Sequence, residues 1–186
     1  MTSPSSFFES LKSSPRHGTF TMRPHYTEVV ARMVKARRQL WIATADLKDL
    51  YIKTDKEDAV PILKIFSDLI HRGVEVRLLH AKEPGTAFRE DFDRYPALFS
   101  GLQRHLCPRV HAKLIAIDSN WIYIGSANMT GAGMGMKSAN RRNFEAGILS
   151  DEPGLIDSAM SHYDKIWEGT FCAHCDRKDF CGDPIK

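Results

Sequence analysis

The sequence predicts an α/β fold in which helices flank a mixed β-sheet on both faces. The first half of the chain has a strand–helix–strand order, with short apolar segments next to segments of helical periodicity. The second half has a run of strand-like segments at short intervals, followed by one more helix. Together these two patterns indicate an α/β sandwich around a mixed sheet.

The helices and strands predicted in the first half support this fold class. A basic amphipathic helix is expected over residues 26–38, and the apolar segment 40–47 is typical of a buried strand. A second helix follows, with Pro61 tolerable in its first turn and Gly73 as its C-terminal stop. The segment 74–79 alternates as a strand does, which completes the strand–helix–strand unit.

The second half predicts strands over residues 102–107, 110–117, 121–125 and 144–149, and a helix over 153–167. The 186 residues suffice for one domain with a proper core but not for two. We expect a flexible Ser- and Pro-rich segment over residues 1–18, one domain over 19–168, and a Cys-rich tail over 169–186.

Composition sets broad limits on function. The chain is 42% hydrophobic and 26% charged, as is typical of a globular protein, and its formal net charge of +3 does not by itself indicate a nucleic-acid partner. The N-terminal segment does not resemble a signal peptide, and no stretch is long enough to span a bilayer. We therefore expect a cytoplasmic protein without a membrane partner, in which cysteines serve as metal ligands or free thiols.

Residues 110–128, VHAKLIAIDSNWIYIGSAN, carry polar groups at fixed intervals inside an apolar run. Side chains two apart on a strand share a face, so His111 and Lys113 are expected to project together. The returning strand is expected to bring Ser126 and Asn128 close to His111. An imidazole, a fixed cation and neutral donors are the groups needed to attack a phosphodiester and hold its charge.

This stretch resembles the signature of the phospholipase D superfamily, H-x-K-x4-D-x6-G-S-x-N. The residues that match it are His111, Lys113, Asp118, Gly125, Ser126 and Asn128. The resemblance extends to NFEAG, where Glu145 takes the place of an acidic residue that hydrogen-bonds the catalytic His in family members. It covers roughly residues 20–168.

The resemblance implies a phosphodiester exchange in two steps that needs no metal. One His attacks phosphorus to form a phosphohistidine, and a second His protonates the leaving oxygen and then activates water. Lys and Asn side chains bind the non-bridging oxygens. The candidate catalytic residues are therefore His111, Lys113, Ser126, Asn128 and Glu145. Asp118 is ranked below them, because the Asp of this motif tends to be structural in the family.

That mechanism requires two His-Lys pairs, and the motif occurs once in this sequence. The segment His80-Ala81-Lys82 repeats the spacing but lacks the following Asp and Gly-Ser-x-Asn, so it is interpreted as the end of a strand. A two-fold symmetric homodimer with one shared site is therefore expected, as in the small bacterial endonucleases of the superfamily.

Four cysteines suggest a second site, and they are Cys107, Cys172, Cys175 and Cys181. One remote Cys followed by C-x2-C-x5-C resembles, in spacing alone, the iron–sulfur clusters of some helicase-associated nucleases. A structural [4Fe–4S] cluster is favoured over Zn²⁺, which remains the alternative, with His162 and His174 as possible substitute ligands.

Nucleic acid, DNA or RNA, is the first substrate hypothesis, because the architecture is small and basic residues such as Arg141 and Arg142 precede Glu145. A phospholipid hydrolase or phosphatidyl transferase is the second hypothesis, with the Met-containing segment 131–140, next to Met129, as a candidate apolar loop. A DNA-binding module that grips phosphate without turnover is the third.

Overall fold

The computed structural model describes residues 17–21, 25–48, 50–53 and 59–182. The strands in these residues are β1 His17–Thr21, β2 Gln39–Thr44, β3 Tyr51–Lys53, β4 Ala59–Pro61, β5 Glu75–His80, β6 Leu102–Leu106, β7 Leu114–Ile117, β8 Trp121–Gly125 and β9 Ala146–Ser150. The α-helices are α1 Ala31–Met33, α2 Ile62–His71, α3 Thr86–Asp93, α4 Ala97–Gly101 and α5 Pro153–Trp167. A π-helical turn over His25–Val30 leads into α1, and single 3₁₀ turns occupy Ala139–Arg141 and Lys178–Phe180.

The central sheet has seven strands in the order β1-β9-β8-β7-β2-β5-β6. Strands β2, β5 and β6 pair in parallel, with α2 crossing between β2 and β5. The pairs from β2 through β7, β8 and β9 to β1 are antiparallel. The predicted mixed sheet is thus confirmed, and β3 with β4 forms a separate two-stranded hairpin.

Alternation along the strands divides the core into two layers. In β2, Leu40 and Ile42 pack in the cluster that contains α2, whereas Trp41 and Ala43 pack in the cluster that contains α5. Helix α2 buries the face that holds Leu63, Phe66 and Leu69, and it begins directly after Pro61, a residue that is tolerated only at a helix start. The sheet therefore has helices on both faces.

Besides shifts of a few residues at other strand ends, the structure differs from the prediction in the first helix, in β7 and in β1. The first helix ends at Met33 rather than at residue 38, because the backbone of Arg37 turns away to bond Asp118. Strand β7 begins at Leu114, not at residue 110. Strand β1, which the sequence did not predict, begins at His17 and so includes the last two residues of the predicted flexible segment; residues 1–16 lie outside the described residues.

The strand register places the ends of β2, β7, β8 and β9 next to one another. Ala43 pairs with Leu114, Leu114 with Ile124, and Gly125 with Gly147. The residues that directly extend these strands therefore lie side by side at the carboxyl ends of β2 and β8 and the amino ends of β7 and β9. This end of the sheet carries most of the polar groups of the sequence motif.

Candidate active site

His111 and Lys113 precede β7 and lie together although they are not on a regular strand. The ammonium Nζ of Lys113 is 3.2 Å from both Nδ1 and Nε2 of His111, and it donates to the His111 carbonyl oxygen at 2.7 Å. The ammonium lies equally close to both ring nitrogens, of which a neutral imidazole carries a proton on one and a free lone pair on the other. An unprotonated imidazole nitrogen has the lone pair that a nucleophile needs.

Lys113 is largely buried while His111 is exposed. Only 8% of the surface of Lys113 is accessible. Burial lowers the pKa of Lys113 below its ordinary value, and the negative charge of Glu145 partly opposes that shift. The site thus holds a cation that is poorly solvated and positioned to bind an anion.

Ser126 and Glu145 join the ends of β8 and β9. The Ser126 hydroxyl donates to Glu145 Oε2, and it accepts a hydrogen bond from the backbone N–H of Ala146 at 3.0 Å. Asn143, which the sequence analysis did not single out, donates from Nδ2 to Glu145 Oε1 at 3.0 Å. Both oxygens of the carboxylate are therefore engaged, and within the described residues Glu145 forms no hydrogen bond to His111.

Asn128 is fixed by the loop that follows β2. Its Oδ1 accepts hydrogen bonds from the backbone N–H groups of Ala45 and Asp46, both at 3.2 Å, and lies 3.3 Å from the Thr44 hydroxyl, which donates to the Asp46 carbonyl oxygen at 2.8 Å. Thr44 is fully buried, and its Oγ1 accepts from the backbone N–H of Met129 at 3.0 Å. With Oδ1 occupied in this way, the Nδ2 amide of Asn128 is the group left to donate to a ligand.

Gly125 is required for a reason other than close approach to a ligand. A Cβ at this position would lie 2.2 Å from the hydroxyl oxygen of Tyr123 and 2.7 Å from the carbonyl oxygen of Ala146. Tyr123 is fully buried, its hydroxyl accepts from the backbone N–H of Ala127, and burial raises its pKa to about 12. The glycine of the motif therefore makes room for this side chain beneath the site.

Asp118 lies at the opposite end of β7, about 17 Å of extended chain from Lys113. Its carboxylate accepts from the backbone N–H groups of Arg37, Arg38 and Gln39 at 2.7–3.1 Å. Burial alone would raise the pKa of Asp118, but these hydrogen bonds outweigh it and lower that pKa. The geometry separates Asp118 from the other motif residues and gives it a part in joining the β7–β8 turn to the start of β2.

Basic side chains border the site on the segment that connects Ser126 to Glu145. Lys137 and Arg141 are exposed on this segment, and Arg142 is half-buried. Phe144, directly before Glu145, is 86% exposed. The other basic cluster, around Arg38, lies at the end of the sheet that holds Asp118.

The Cys-rich tail folds back against the turn that precedes His111. Cys107, Cys172 and Cys175 line one cavity of about 260 Å³, and all four cysteines are free thiols. The backbone N–H of Arg177 lowers the pKa of Cys175, and the Arg109 guanidinium adds to that effect. Across the described residues, no three His, Cys, Asp or Glu side chains are arranged to hold a metal ion, so the metal site stays a prediction.

Comparison with known proteins identifies the fold. A family model described as "Cardiolipin synthase, PLD-like domain" matches residues 29–167, which is most of the chain. The chain belongs to the phospholipase D-like family. The resemblance predicted from the H-x-K motif is thereby confirmed, whereas no curated protein matches this phospholipase D-like chain by sequence.

Solved structures agree with the family. NucT from Helicobacter pylori has a TM-score of 0.59 and 17% identity, covering 82% of this chain and 95% of its own. The phospholipase D family member Nuc from Salmonella typhimurium has a TM-score of 0.60 and 18% identity, covering 83% of this chain and 95% of its own. TrmBL2, an archaeal chromatin protein whose structure shows a mode of DNA binding, has a TM-score of 0.56 and 12% identity, covering 88% of this chain and 57% of its own. At these identities the likeness concerns the fold.

The supporting residues were harder to predict than the motif itself. Thr44, Asn143 and Tyr123 give no signal by type or spacing, although Thr44 follows an apolar run at the carboxyl end of a strand, where polar residues often serve a site. In the described ranges of this phospholipase D-like chain, no helix has the length and apolar character needed to cross a membrane.

Proposed function

We propose that this phospholipase D-like chain is a metal-independent endonuclease that cleaves DNA or RNA through a phosphohistidine intermediate. The observation that carries the proposal is the Lys113 ammonium held against the ring nitrogens of the exposed His111. A bound phosphate oxygen is a stronger acceptor for this ammonium than an imidazole nitrogen is. Binding of a phosphodiester would therefore draw the ammonium onto the substrate and release the lone pair of His111.

In the first step, a ring nitrogen of His111 attacks phosphorus, the N–P bond forms, and the P–O bond to the leaving nucleoside oxygen breaks. The leaving oxygen takes a proton from a second, protonated His. In the second step that His removes a proton from water, the water oxygen attacks phosphorus, and the P–N bond breaks. Lys113 and the Nδ2 amide of Asn128 hold the non-bridging oxygens, where negative charge accumulates.

The second His is supplied, in this proposal, by His111 of a second copy of the chain. The one other segment with the same spacing ends in Lys82, and its His80 is fully buried with Nδ1 against the Lys82 carbonyl oxygen. A buried His at a strand end is unsuited to protonate a leaving group. A two-fold dimer that joins two copies of His111 and Lys113 on its axis would complete the site.

Nucleic acid is favoured as the substrate by the segment that borders the site. Exposed Lys137 and Arg141 match a phosphate backbone, and the exposed ring of Phe144 offers a surface on which a base can stack. The site's own chemistry needs no metal, so any metal bound by the Cys-rich tail is assigned a structural role.

A phospholipid hydrolase or phosphatidyl transferase is the second candidate, because the matching family model is described by cardiolipin synthase. In the loop over residues 131–140, which the structure describes in full, the exposed part is the mostly polar stretch 137–140. Met129 and Met134 are each 1% exposed and pack in the core, and Met136 packs against it, so the Met side chains of the loop over residues 131–140 do not form a docking surface.

The test is incubation of the full chain with plasmid, single-stranded DNA, RNA and a phosphatidylcholine analogue, each in EDTA. We expect cleavage of nucleic acid by the wild type, its loss in His111→Ala, and its retention in a control, His71→Ala. His71 is an equally exposed His at the C-terminal end of α2, at the far end of the sheet.

Turnover of the lipid analogue alone would move the assignment to the second candidate. Binding of DNA without turnover of any substrate would indicate a binding module. Sedimentation of the active wild type tests the shared site, because full activity at the mass of one chain would contradict it.

A further inference from the structure

The Cys-rich tail and the turn over residues 107–110 line a cavity of about 260 Å³ that the proposed chemistry does not use. Three of the lining side chains are the thiols of Cys107, Cys172 and Cys175, and another is the guanidinium of Arg109. The three cysteines are half-buried, and none is in a disulfide. Free thiols beside a cation are a set of groups that favours thiol chemistry.

The guanidinium of Arg109 is a polar partner of the Cys175 thiol. The backbone N–H of Arg177 and this guanidinium each form a hydrogen bond to the Cys175 side chain, and both interactions stabilise its thiolate form. A cation at this position repels a metal ion. Across the described residues no three His, Cys, Asp or Glu side chains are arranged to hold one, so this lining favours a thiol that reacts.

Cys172 and Cys175 are held at a spacing that a disulfide can bridge. The backbone N–H of Cys175 donates to the carbonyl oxygen of Cys172 at 3.2 Å, which closes a four-residue turn. The first and last Cα atoms of such a turn lie within about 7 Å of each other, and disulfides join Cα atoms about 4.4–6.8 Å apart. Rotation of the two side chains is therefore enough to bring the sulfur atoms together.

The other two cysteines are placed differently. Cys181 does not line the cavity, and its Sγ lies 3.8 Å from the carbonyl oxygen of Leu106. Cys107 lines the cavity from a different segment of the chain. The hydrogen-bonded turn thus singles out Cys172 as the partner of Cys175.

We propose that Cys172 and Cys175 form a reversible disulfide, in which a peroxide oxidises Cys175 beside Arg109 and Cys172 then resolves the product. The Cys175 thiolate attacks one oxygen of hydrogen peroxide, the S–O bond forms and the O–O bond breaks, which leaves a sulfenic acid and releases hydroxide. The Cys172 sulfur then attacks the Cys175 sulfur, the S–S bond forms and the S–O bond breaks. The oxygen leaves as water with the proton of the Cys172 thiol, and thiol exchange with a dithiol reductant restores both cysteines.

Oxidation would change the turn that leads to the candidate nucleophile. A sulfur of Cys175 that is bridged in a disulfide carries no negative charge, so Arg109 would lose this partner. Arg109 lies in the turn that the backbone N–H of Val110 closes by donating to the carbonyl oxygen of Cys107 at 2.9 Å, and this turn leads directly to His111. The disulfide would thus act on the approach to His111 without touching substrate, a consequence that rests on the proposed function.

Treatment of the full chain with hydrogen peroxide, followed by alkylation and tryptic peptide mass analysis, tests the proposal. No Lys or Arg separates Cys172 from Cys175, so one peptide holds both. We expect this peptide to lose the mass of two hydrogen atoms and to regain it on reduction. Cys172→Ser should instead carry a sulfenic acid at Cys175 that dimedone traps, and the control Cys181→Ser should form the disulfide as the wild type does. Arg109→Gln should slow the oxidation by about 3-fold or more, whereas Arg109→Lys keeps a cation and should slow it less.

A wild-type disulfide to Cys107, or thiols that all stay reduced in excess peroxide, would overturn the proposal. Stoichiometric iron or zinc held by the cysteines of the purified wild type would also overturn it, because ligating thiolates are not free to pair. An unchanged rate in Arg109→Gln would contradict the part given to Arg109. None of these measurements needs turnover of nucleic acid, so a failure here is distinguishable from a failure of the proposed nuclease activity.

Discussion

The ammonium of Lys113 lies 3.2 Å from both ring nitrogens of His111, so the two side chains of the H-x-K motif contact each other directly. This contact lies just before β7 begins. The backbone there is joined to β8 by one further hydrogen bond, which the Gly125 N–H donates to the Lys113 carbonyl oxygen at 3.0 Å. In the mechanism proposed above, a bound phosphate would draw this cation away from His111, which would couple substrate binding to activation of the nucleophile.

The protonation of Lys113 predicts an alkaline limit to activity. Burial lowers the pKa of Lys113 below 10.5 and Glu145 raises it again in part, so Glu145→Gln should lower that pKa further. The active form is the protonated one, and kcat/KM should therefore fall at a lower pH in Glu145→Gln than in the wild type. If the variant is too slow to assay, the NMR titration of the Lys113 side chain gives the same comparison. A shift toward higher pH would contradict the assignment.

Replacing the carboxylate of Asp118 is expected to lower the free energy of unfolding without lowering kcat. The folded-state pKa of Asp118 is lowered, so its contribution to stability is present above the unfolded value of 3.8 and is lost as the pH falls through the folded value. Asp118→Asn should cost about 1–2 kcal/mol of unfolding free energy at pH 7. The cost should shrink under acid conditions.

Urea unfolding at neutral and acid pH measures this difference, with Asp157→Asn on the exposed side of α5 as the control. The kcat of Asp118→Asn should stay within about 3-fold of the wild type, because its carboxylate lies far from the reacting groups. A large loss of kcat in a stably folded Asp118→Asn would place Asp118 in the chemistry.

A side chain at position 125 is expected to clash with Tyr123, and a second substitution at Tyr123 is expected to relieve part of that clash. Gly125→Ala places a Cβ 2.2 Å from the Tyr123 hydroxyl oxygen and should cost about 1–3 kcal/mol of stability. Adding Tyr123→Phe removes that oxygen but leaves the ring Cζ at 2.6 Å and the Ala146 carbonyl oxygen at 2.7 Å, so it should restore only a part of the loss, a coupling that a double-mutant cycle measures. Gly85→Ala, where a Cβ meets nothing within 4 Å, is the control. Strict additivity of the two substitutions would contradict this role for Gly125.

A substitution at Asn128 is expected to lower activity while leaving stability nearly unchanged. Asn128→Asp keeps an Oδ1 acceptor for the backbone N–H groups of Ala45 and Asp46 but replaces the Nδ2 donor with a negatively charged oxygen. The thermal midpoint should change little, while kcat/KM should fall by about 100-fold or more, as on loss of one oxyanion donor. Thr44→Val, which removes the buried hydroxyl that bonds the backbone of Asp46 and Met129 beside Asn128, should instead lower the thermal midpoint. Full activity in Asn128→Asp would exclude phosphate binding by Nδ2.

The sequence predicted the mixed sheet because its alternating apolar segments depend on local periodicity, and most strand positions followed to within a few residues. It missed β1, since five residues without an apolar pattern form a strand only when the edge of β9 is available to pair with. It also extended the strand of Leu114 back to residue 110, because His111 and Lys113 alternate in polarity as strand residues do.

For the site, the sequence by itself determined the residue types of the motif, the single occurrence of that motif and hence the family, because these properties are fixed by identity and spacing along the chain. Only the tertiary structure decided that Asp118 lies at the far end of β7, that Asn143 and Thr44 support Glu145 and Asn128, and that His162 shares a cavity with three cysteines. Those relationships join residues that are distant in sequence. They depend on sheet register and on how the tail packs against the domain, which no local pattern records.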